Sequence, residues 1–448
     1  MAEWLRSVGI DVGTTTTQLI VSGIRVENRA SAFAVPEMEI RERQVVYRSP
    51  VYFTPLIRDQ LVDGMAIRKI IEREYERAGI SRETVDTGAV IITGETSRKE
   101  NAATVLESLS ELAGDFVVAT AGPHLESVLA AKGAGAVAWS EETGKKVMHF
   151  DIGGGTSNWA LIQGGEILKT GCLNVGGRLI KLDSTGKITY VSSVLEKLCK
   201  LTEEDHMTRE ALREVVMLLV QALEMAAGLR EPTALLEALV MKEAQTPGMA
   251  APVGRSDRDD IVISFSGGVA DCIEKQHDWL KFGDIGPILG EEIRNSRLCA
   301  GEYRLGAETI RATVIGAGCH SAQLSGSTVF YRNVRFPLKN LTAVTSVGEL
   351  ETLDEPGLLV LEPDHAPSYR ELKGLAAQLA GRISGPVYLA METDMAKALG
   401  HALALLLPSD RPVLCVDSIR LRPGDYLDVG EPVGPALPVV VKTLILER

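Results

Sequence analysis

The chain has 448 residues, more than one hydrophobic core usually serves, so two or three domains are expected. Its composition, 45% hydrophobic and 24% charged, is that of an ordinary globular protein. The 47 basic and 60 acidic residues give a formal charge of -13, which repels phosphate backbones and argues against nucleic acid as a partner.

Short apolar runs that end in glycine recur along the chain, at residues 7–13, 89–95, 116–122, 146–155 and 261–269. Each is typical of a buried strand that delivers a turn to one edge of a sheet. Helical patterns lie between them. Residues 64–79 place Ile67, Ile71 and Tyr75 on one face, and residues 202–227 carry a long apolar stripe behind a possible capping box at 202–205. Together these elements predict an α/β architecture.

Composition changes suggest where the modules meet. Residues 228–259 are rich in proline, glycine and charge and are expected to be irregular. Beyond residue 330 the glycine-ended strands stop, and strands at 357–363 and 385–392 alternate with helices at 369–382 and 394–407 before a β-rich close. We therefore expect three modules, residues 1–145, 146–330 and 331–448.

Two turns combine an aspartate with glycine and threonine: "GIDVGTTTTQ" at 9–18 and "HFDIGGGTSNW" at 149–159. Glycine lets successive backbone N–H groups form a concave nest for phosphate. An aspartate beside such a nest would repel phosphate directly, so its expected role is to hold Mg²⁺. One such turn alone is equally explained by a tight hairpin. Two of them, each after an apolar strand, suggest half-sites that close on one polyphosphate from opposite sides.

A third motif, "FSGGVAD" at 265–271, ends a strand with Gly267 and Gly268, where a flat base could lie against bare backbone; a helix-starting turn is the alternative. The three motifs, in this order, resemble those of the actin, Hsp70 and sugar-kinase superfamily of ATPases. That resemblance implies a two-lobed fold of duplicated ribonuclease H-like lobes, with connecting helices in 121–140 and 312–326. The small residues of these two segments would allow the helices to cross closely.

The resemblance also assigns roles to individual residues. It implies that ATP or ADP, with Mg²⁺, is bound by two phosphate loops, and that Gly267 and Gly268 face the adenosine. The first loop would be formed by Asp11, Gly13, Thr14 and Thr15. The second would be formed by Asp151, Gly153, Gly154, Gly155 and Thr156. Asp11 and Asp151 would be the catalytic and metal-holding residues. Hsp70-type ATPases begin their first connecting helix with a glutamate, which this chain replaces by "AGP" at 121–123, so Glu95 and Glu126 are the candidates for orienting the attacking water.

A closer similarity extends over nearly the whole chain. The segments "VGIDVGTTTTQLIVS", "ITGETSRKENA", "HFDIGGGTSNWALI" and "SIRLRPGDYLDVGEPVG" resemble the reactivating factors of adenosylcobalamin-dependent ethanolamine ammonia-lyase, the EutA family. This resemblance implies a chaperone-like ATPase that binds an inactivated lyase and releases damaged cobalamin so that intact cofactor can enter. The lyase would be the partner, with a homo-oligomer and association with a bacterial microcompartment left open. Residues 331–448 would contact the lyase or another subunit, or serve only as a packing appendage.

Other function classes remain as alternatives at this point. A small-molecule kinase shares the ATP core but needs an acid or base beside its substrate, and a filament-forming actin-like protein or a diol dehydratase reactivase shares the motifs. Radical-dehydratase activators carry an iron–sulfur cluster, for which the six cysteines show no close spacing. We interpret these cysteines as core thiols, and His149, inside an apolar strand, as a satisfied core residue rather than a metal ligand.

The chain start and its apolar runs bear on localisation. Glu3 and Arg6 stand where a signal peptide would carry its apolar core, and the longest apolar runs, such as 402–407, are too short to span a bilayer. A soluble cytoplasmic protein without membrane partners is expected.

Overall fold

The computed structural model describes most of the chain. The described residues are 3–13, 15–28, 38–58, 61–81, 84–93, 101, 105, 109, 117–120, 123–241, 261–320, 322–324, 329–353, 356–361, 367–419, 421, 425–430, 432 and 437–443. Among them, no helix combines the length and the apolar character that crossing a membrane requires.

The first lobe is built on a sheet whose strands run in the order β3-β2-β1-β7-β8, with β4 paired to β2. Strand β1 is antiparallel to β2 and parallel to β7, and β8 continues the parallel edge. The elements are β1 (Glu3–Val12), β2 (Thr16–Asn28), β3 (Met38–Arg48), β4 (Tyr52–Phe53), β5 (Leu56–Arg58), β6 (Leu61–Val62), α1 (Gly64–Ala78), β7 (Thr87–Ile92), β8 (Val117–Thr120), α2 (Pro123–Gly133) and α3 (Ala136–Thr143).

Helix α1 forms as its sequence predicts. The Asp63 side chain caps its first turn by accepting from the Ala66 N–H, and Gly79 ends it with a left-handed φ of 65°. Its buried face, which includes Ile67, Ile71 and Tyr75, packs on the core of the first sheet. This packing fixes the sheet whose edge carries the first turn.

The second lobe repeats the arrangement of the first. Its sheet order is β11-β10-β9-β14-β15, with β9 antiparallel to β10 and parallel to β14. The strands are β9 (Lys146–Ile152), β10 (Ser157–Gln163), β11 (Glu166–Leu173), β12 (Ile180–Leu182), β13 (Ile188–Val191), β14 (Ile261–Ser266) and β15 (Tyr303–Leu305). The helices are α4 (Ser193–Cys199), α5 (Arg209–Ala226), α6 (Ala234–Leu239), α7 (Asp271–Glu274), α8 (Gly286–Arg294) and α9 (Ala312–His320). Two sheets of equal order and direction form the duplicated ribonuclease H-like lobes of the actin-like fold, as predicted.

Helices α2 and α9 cross between the lobes. Helix α2 packs on β9, β10 and β11 of the second sheet, whereas α9 packs on β1, β2 and β7 of the first. The helices approach so closely that a Cβ added to Gly133 would lie 1.9 Å from the Ala312 carbonyl oxygen, and one added to Gly316 would lie 2.0 Å from that of Leu129. The predicted close crossing of helices with small residues is confirmed.

The third module contains an eight-stranded sheet in the order β16-β23-β22-β18-β19-β20-β21-β17. Its helices α11 and α12 pack on one face. The elements are β16 (Ala322–Leu324), β17 (Phe330–Arg332), β18 (Leu338–Val344), α10 (Val347–Leu350), β19 (Gly357–Leu361), α11 (Tyr369–Arg382), β20 (Val387–Met391), α12 (Ala396–Leu406), β21 (Val413–Val416), β22 (Asp425–Val429) and β23 (Pro438–Thr443). This sheet takes strands from both sides of residue 331, and the three module boundaries stay predictions.

Some local predictions were wrong. The helix expected from residue 202 begins at Arg209, capped by the Thr208 hydroxyl, because the Asp205 carboxylate instead binds the Thr202 N–H and hydroxyl in a turn. The helix expected over 121–140 is divided at Gly135, which has a φ of 79°. The helix expected over 312–326 ends at His320, and strand β16 occupies Ala322–Leu324. The segment expected to be irregular, residues 228–259, contains α6, and its residues 242–259 lie outside the described part of the chain.

Candidate functional site

A cavity of about 500 Å³ is lined by residues of both lobes. All the predicted site residues except Thr14, which lies outside the described residues, line it: Asp11, Gly13, Thr15, Asp151, Gly153, Gly154, Gly155, Thr156, Gly267 and Gly268. The duplicated fold explains this convergence, because each aspartate ends the first strand of its own sheet. Both turns therefore open into one space.

Asp11 is held at the carboxyl end of β1. The Thr93 hydroxyl, just beyond the parallel strand β7, donates to Asp11 Oδ1 at 2.9 Å. Burial raises the pKa of Asp11 to about 7; the Thr93 hydrogen bond opposes this rise and the nearby Asp151 adds to it. A buried carboxylate of raised pKa gains from a cation beside it.

Asp151 occupies the same position in the second lobe. The Ser266 hydroxyl, at the end of the parallel strand β14, donates to Oδ1, and the Thr313 hydroxyl donates to Oδ2 at 3.4 Å. Burial raises the pKa of Asp151 to about 6, and these two hydrogen bonds oppose the rise. Thr313 lies in α9, so the crossing helix contacts the carboxylate directly.

His149 orients Ser266 from behind. Its Nε2 lies 3.0 Å from Ser266 Oγ and its Nδ1 lies 3.1 Å from Ser264 Oγ. Ser266 gives its one hydroxyl proton to Asp151, so it must accept from His149 Nε2, and Nδ1 then accepts from Ser264. Burial lowers the pKa of His149 to about 3, which keeps the ring neutral. His149 is the satisfied core residue that its sequence context predicts.

Two buried amides face the aspartates in matching register. Gln18 pairs with Asp11 across β1 and β2, and Asn158 pairs with Asp151 across β9 and β10. Gln18 donates to the Ile310 carbonyl oxygen at 3.0 Å, and Asn158 donates to Glu126 Oε2 at 2.5 Å. Within the described part of the chain, Gln18 Oε1 and Asn158 Oδ1 are buried acceptors with no hydrogen bond. These oxygens add two uncommitted acceptors to the cavity wall.

The two turns share one backbone geometry. The Gly13 N–H donates to the Thr16 carbonyl oxygen at 2.9 Å, and the Gly153 N–H donates to that of Thr156, also at 2.9 Å. They meet at Gly154, where an added Cβ would lie 2.7 Å from Thr15 Oγ1. Gly154 therefore keeps open the narrow space between the turns.

The glycine pair follows β14 on the same cavity wall. Gly267 has a φ of 88°, and an added Cβ would lie 2.3 Å from the Ile152 carbonyl oxygen, so only glycine fits there. Gly268 has open space, its nearest neighbour to an added Cβ being Ile310 Cδ1 at 3.9 Å. Val269 and Phe282 also line the cavity and add apolar surface to it.

Sequence reasoning missed several residues that line the cavity: Gln18, Thr93, Asn158, Arg178, Asp284 and Thr313. A signal for two of them was present, because Gln18 and Asn158 each stand seven residues after the aspartate of their turn. Of the candidates for orienting water, Glu126 lines the cavity, whereas Glu95 lies outside the described residues. Among the described residues, no group of three or more His, Cys, Asp or Glu side chains is placed to hold a metal alone.

The chain is similar to known proteins along nearly its whole length. The family model "Ethanolamine utilisation protein EutA" matches residues 3–358 and 345–447. Ethanolamine ammonia-lyase reactivase EutA of Salmonella typhimurium is 36% identical, covering 98% of each chain. That of Escherichia coli (strain K12) is 37% identical, again covering 98% of each. The solved structure of ethanolamine utilization protein EutJ from Carboxydothermus hydrogenoformans matches 70% of this chain and 89% of its own, at 18% identity and a TM-score of 0.34, too low to bear on this chain.

Proposed function

Because the chain belongs to the ethanolamine utilisation protein EutA family, we propose that it is an ATP-dependent reactivating factor for ethanolamine ammonia-lyase. The relatives carrying the reactivase name match this chain over 98% of its length, so the proposal covers the third module as well as the two lobes. The partner is the lyase, from which the protein releases damaged cobalamin so that intact cofactor can bind.

The observation that carries the nucleotide part of the proposal is the facing pair of turns. Backbone N–H groups of Gly154 and Gly155, with the hydroxyls of Thr15 and Thr156, supply donors to phosphate oxygens. The contact between Gly154 and Thr15 leaves no room for a side chain at position 154, which fits a ligand that touches both turns. Gly267 and Gly268 supply the bare backbone beside which an adenine base can lie.

The acceptors around the turns fit Mg²⁺ as the companion ion. Asp11 and Asp151 supply carboxylates, and the amide oxygens of Gln18 and Asn158 supply neutral acceptors without other partners. Since the described side chains do not enclose a metal by themselves, phosphate oxygens and water would complete its coordination. When bound, the ion neutralises phosphate charge and favours the ionised form of both aspartates.

In this proposal the nucleotide changes how closely the two lobes approach each other. A ligand held by turns from both lobes favours the arrangement in which the turns are close, and a ligand lacking one phosphate favours it less. If the two arrangements differ in affinity for the lyase, nucleotide and lyase must affect each other's binding equally. Nucleotide exchange can then drive binding and release of the lyase.

We propose that ATP hydrolysis is slow. Glu126 is the carboxylate that would orient the attacking water. Asn158 donates a hydrogen bond to it, and Asn158 itself pairs with Asp151 across β9 and β10, so all three side chains line the same cavity. The catalytic glutamate of Hsp70-type ATPases stands at the start of this helix, according to the resemblance. Glu126 lies three residues after Pro123, the first residue of α2. Displacement of that group would leave water less well positioned and turnover slow.

The test is reactivation of a lyase inactivated by bound cyanocobalamin. The full chain with ATP and Mg²⁺ should restore activity after adenosylcobalamin is added, and Asp151→Ala should not. Glu203→Ala, a change at an exposed carboxylate of the second lobe outside the cavity, is the control and should reactivate normally. A wild-type protein that reactivates diol dehydratase but not this lyase, or that phosphorylates a small molecule instead, would overturn the assignment.

A further inference from the structure

Arg178 is the one cationic side chain among the described residues that line the cavity. The same wall carries five carboxylates, those of Asp11, Glu126, Asp151, Asp271 and Asp284. A polyphosphate entering this space meets negative charge on most sides. The position of the single guanidinium therefore has a large effect on where phosphate charge can lie.

Arg178 is fixed at its base and has free donors at its tip. Its N–H donates to the Gly154 carbonyl oxygen at 2.7 Å, and its Nε lies 3.2 Å from Asp284 Oδ2. Asp284 is itself held by the Gly286 N–H at 2.9 Å. Within the described part of the chain, neither terminal amino group of Arg178 makes a hydrogen bond. This leaves the paired N–H donors that bind phosphate bidentately.

The side chain stands where the two turns meet. A Cβ added to Gly154 would lie 2.7 Å from Thr15 Oγ1 and 3.5 Å from Arg178 Cβ. A phosphate that bridges the two turns at Gly154 therefore lies beside Cβ of Arg178. Under the proposed function the base lies beside Gly267 and Gly268, and the phosphate that bridges both turns at Gly154 is the terminal one.

Arg178 also contacts the first lobe. Its guanidinium carbon lies 5.2 Å from the ring centre of Phe53, which belongs to β4 of the first sheet. Phe53 is 73% exposed, so burial in a core does not explain an aromatic residue there. The stack joins a second-lobe cation to a first-lobe aromatic ring at the cavity mouth.

From these contacts we infer that Arg178 binds the terminal phosphate of the nucleotide and thereby distinguishes ATP from ADP. Asp284 binds Nε and so directs the terminal amino groups of Arg178 toward the phosphate. Because Arg178 also stacks on Phe53, binding of that phosphate affects the position of the first lobe. This inference rests on the proposed function, since it names a ligand of the same nucleotide site.

The experiment compares the affinity of the full chain for Mg²⁺ with ADP and for Mg²⁺ with a non-hydrolysable ATP analogue, by titration calorimetry. Arg178→Gln should weaken analogue binding by about tenfold or more and ADP binding by less than about threefold. Arg178→Lys keeps the charge without the fork and should fall between wild type and Arg178→Gln. The control is Arg294→Gln, because Arg294 stacks on Tyr303 at 5.1 Å and pairs with Glu274 outside the cavity.

Each outcome separates this inference from the proposed function. Equal weakening of both nucleotides by Arg178→Gln, or no weakening, overturns the inference while the nucleotide site stands. Wild-type protein that binds neither nucleotide overturns both. For the coupling to the first lobe, the analogue should reduce the radius of gyration in solution scattering more than ADP does. Phe53→Leu should abolish that difference while leaving analogue affinity within about threefold of wild type, and a preserved difference contradicts the coupling.

Discussion

Replacing Asp151 by asparagine should stabilise the nucleotide-free protein while impairing its ligand site. Asparagine has nearly the shape of aspartate, and its amide oxygen can accept the Ser266 hydroxyl as the carboxylate does. What the substitution removes is a charge buried in the cavity wall. The expected gain depends on how much that charge costs the folded state.

The pKa of Asp151 is raised by burial from 3.8 to about 6. At about 1.4 kcal/mol per pKa unit, the ionised carboxylate costs the folded state on the order of 3 kcal/mol. Because the folded pKa is the higher one, this cost is absent below about pH 4, grows as the pH rises and is complete above about pH 6. Asp151→Asn should therefore raise the free energy of unfolding by about 3 kcal/mol at pH 8 and by only about 1 kcal/mol at pH 4.5.

Unfolding is followed in urea with EDTA present, by tryptophan fluorescence. Trp159 and Trp279 pack in the core of the second lobe, and Trp139 of α3 packs against β9 and β10 of that lobe. Trp4 of β1 is 50% exposed, so the change in signal on unfolding comes mainly from the lobe that carries the substitution. Mg²⁺ with ATP should stabilise wild type and leave Asp151→Asn unaffected. The reasoning is refuted if Asp151→Asn is no more stable than wild type at pH 8, or if its gain in stability is the same at pH 8 and pH 4.5. Asp410→Asn is the control.

Four further outcomes are expected. Asp11→Asn should weaken Mg²⁺-dependent ATP binding by about tenfold or more in calorimetry, and unchanged affinity contradicts its role. Gly316→Ala, whose Cβ would lie 2.0 Å from the Leu129 carbonyl oxygen, should lower stability by more than about 2 kcal/mol in thermal melts; Gly374→Ala, with open space, should not. Glu126→Gln should slow phosphate release at least about tenfold with ATP affinity kept, and full turnover excludes Glu126 as the water-orienting group. Deleting residues 331–448 should abolish reactivation while nucleotide affinity is kept; full reactivation by the truncated chain defeats a lyase-contacting role for the module.

The glycine-ended runs revealed the parts of the fold that depend on local sequence. The aspartates at 11 and 151 follow apolar strands, and their turns need glycine, so both half-sites were recognisable. The partners of these aspartates were not, because Ser266 reaches Asp151 only through the pairing of β9 with β14, across a separation of 115 residues. The helix start predicted at residues 202–205 was wrong for the opposite reason. A capping pattern was present there, but the Asp205 carboxylate accepts the Thr202 N–H in a turn instead.

The crossing of α2 and α9 has a mechanical consequence. Helices usually interlock through side-chain ridges that sit in grooves, and these ridges select a small set of crossing angles. Where Gly133 and Gly316 face carbonyl oxygens, the two backbones meet without such ridges. At these two glycines no side chain separates the helices, so a change in the angle between them displaces no side chain there. Because α2 packs on the second sheet and α9 on the first, a rotation at this contact turns one lobe against the other while the core of each lobe stays packed.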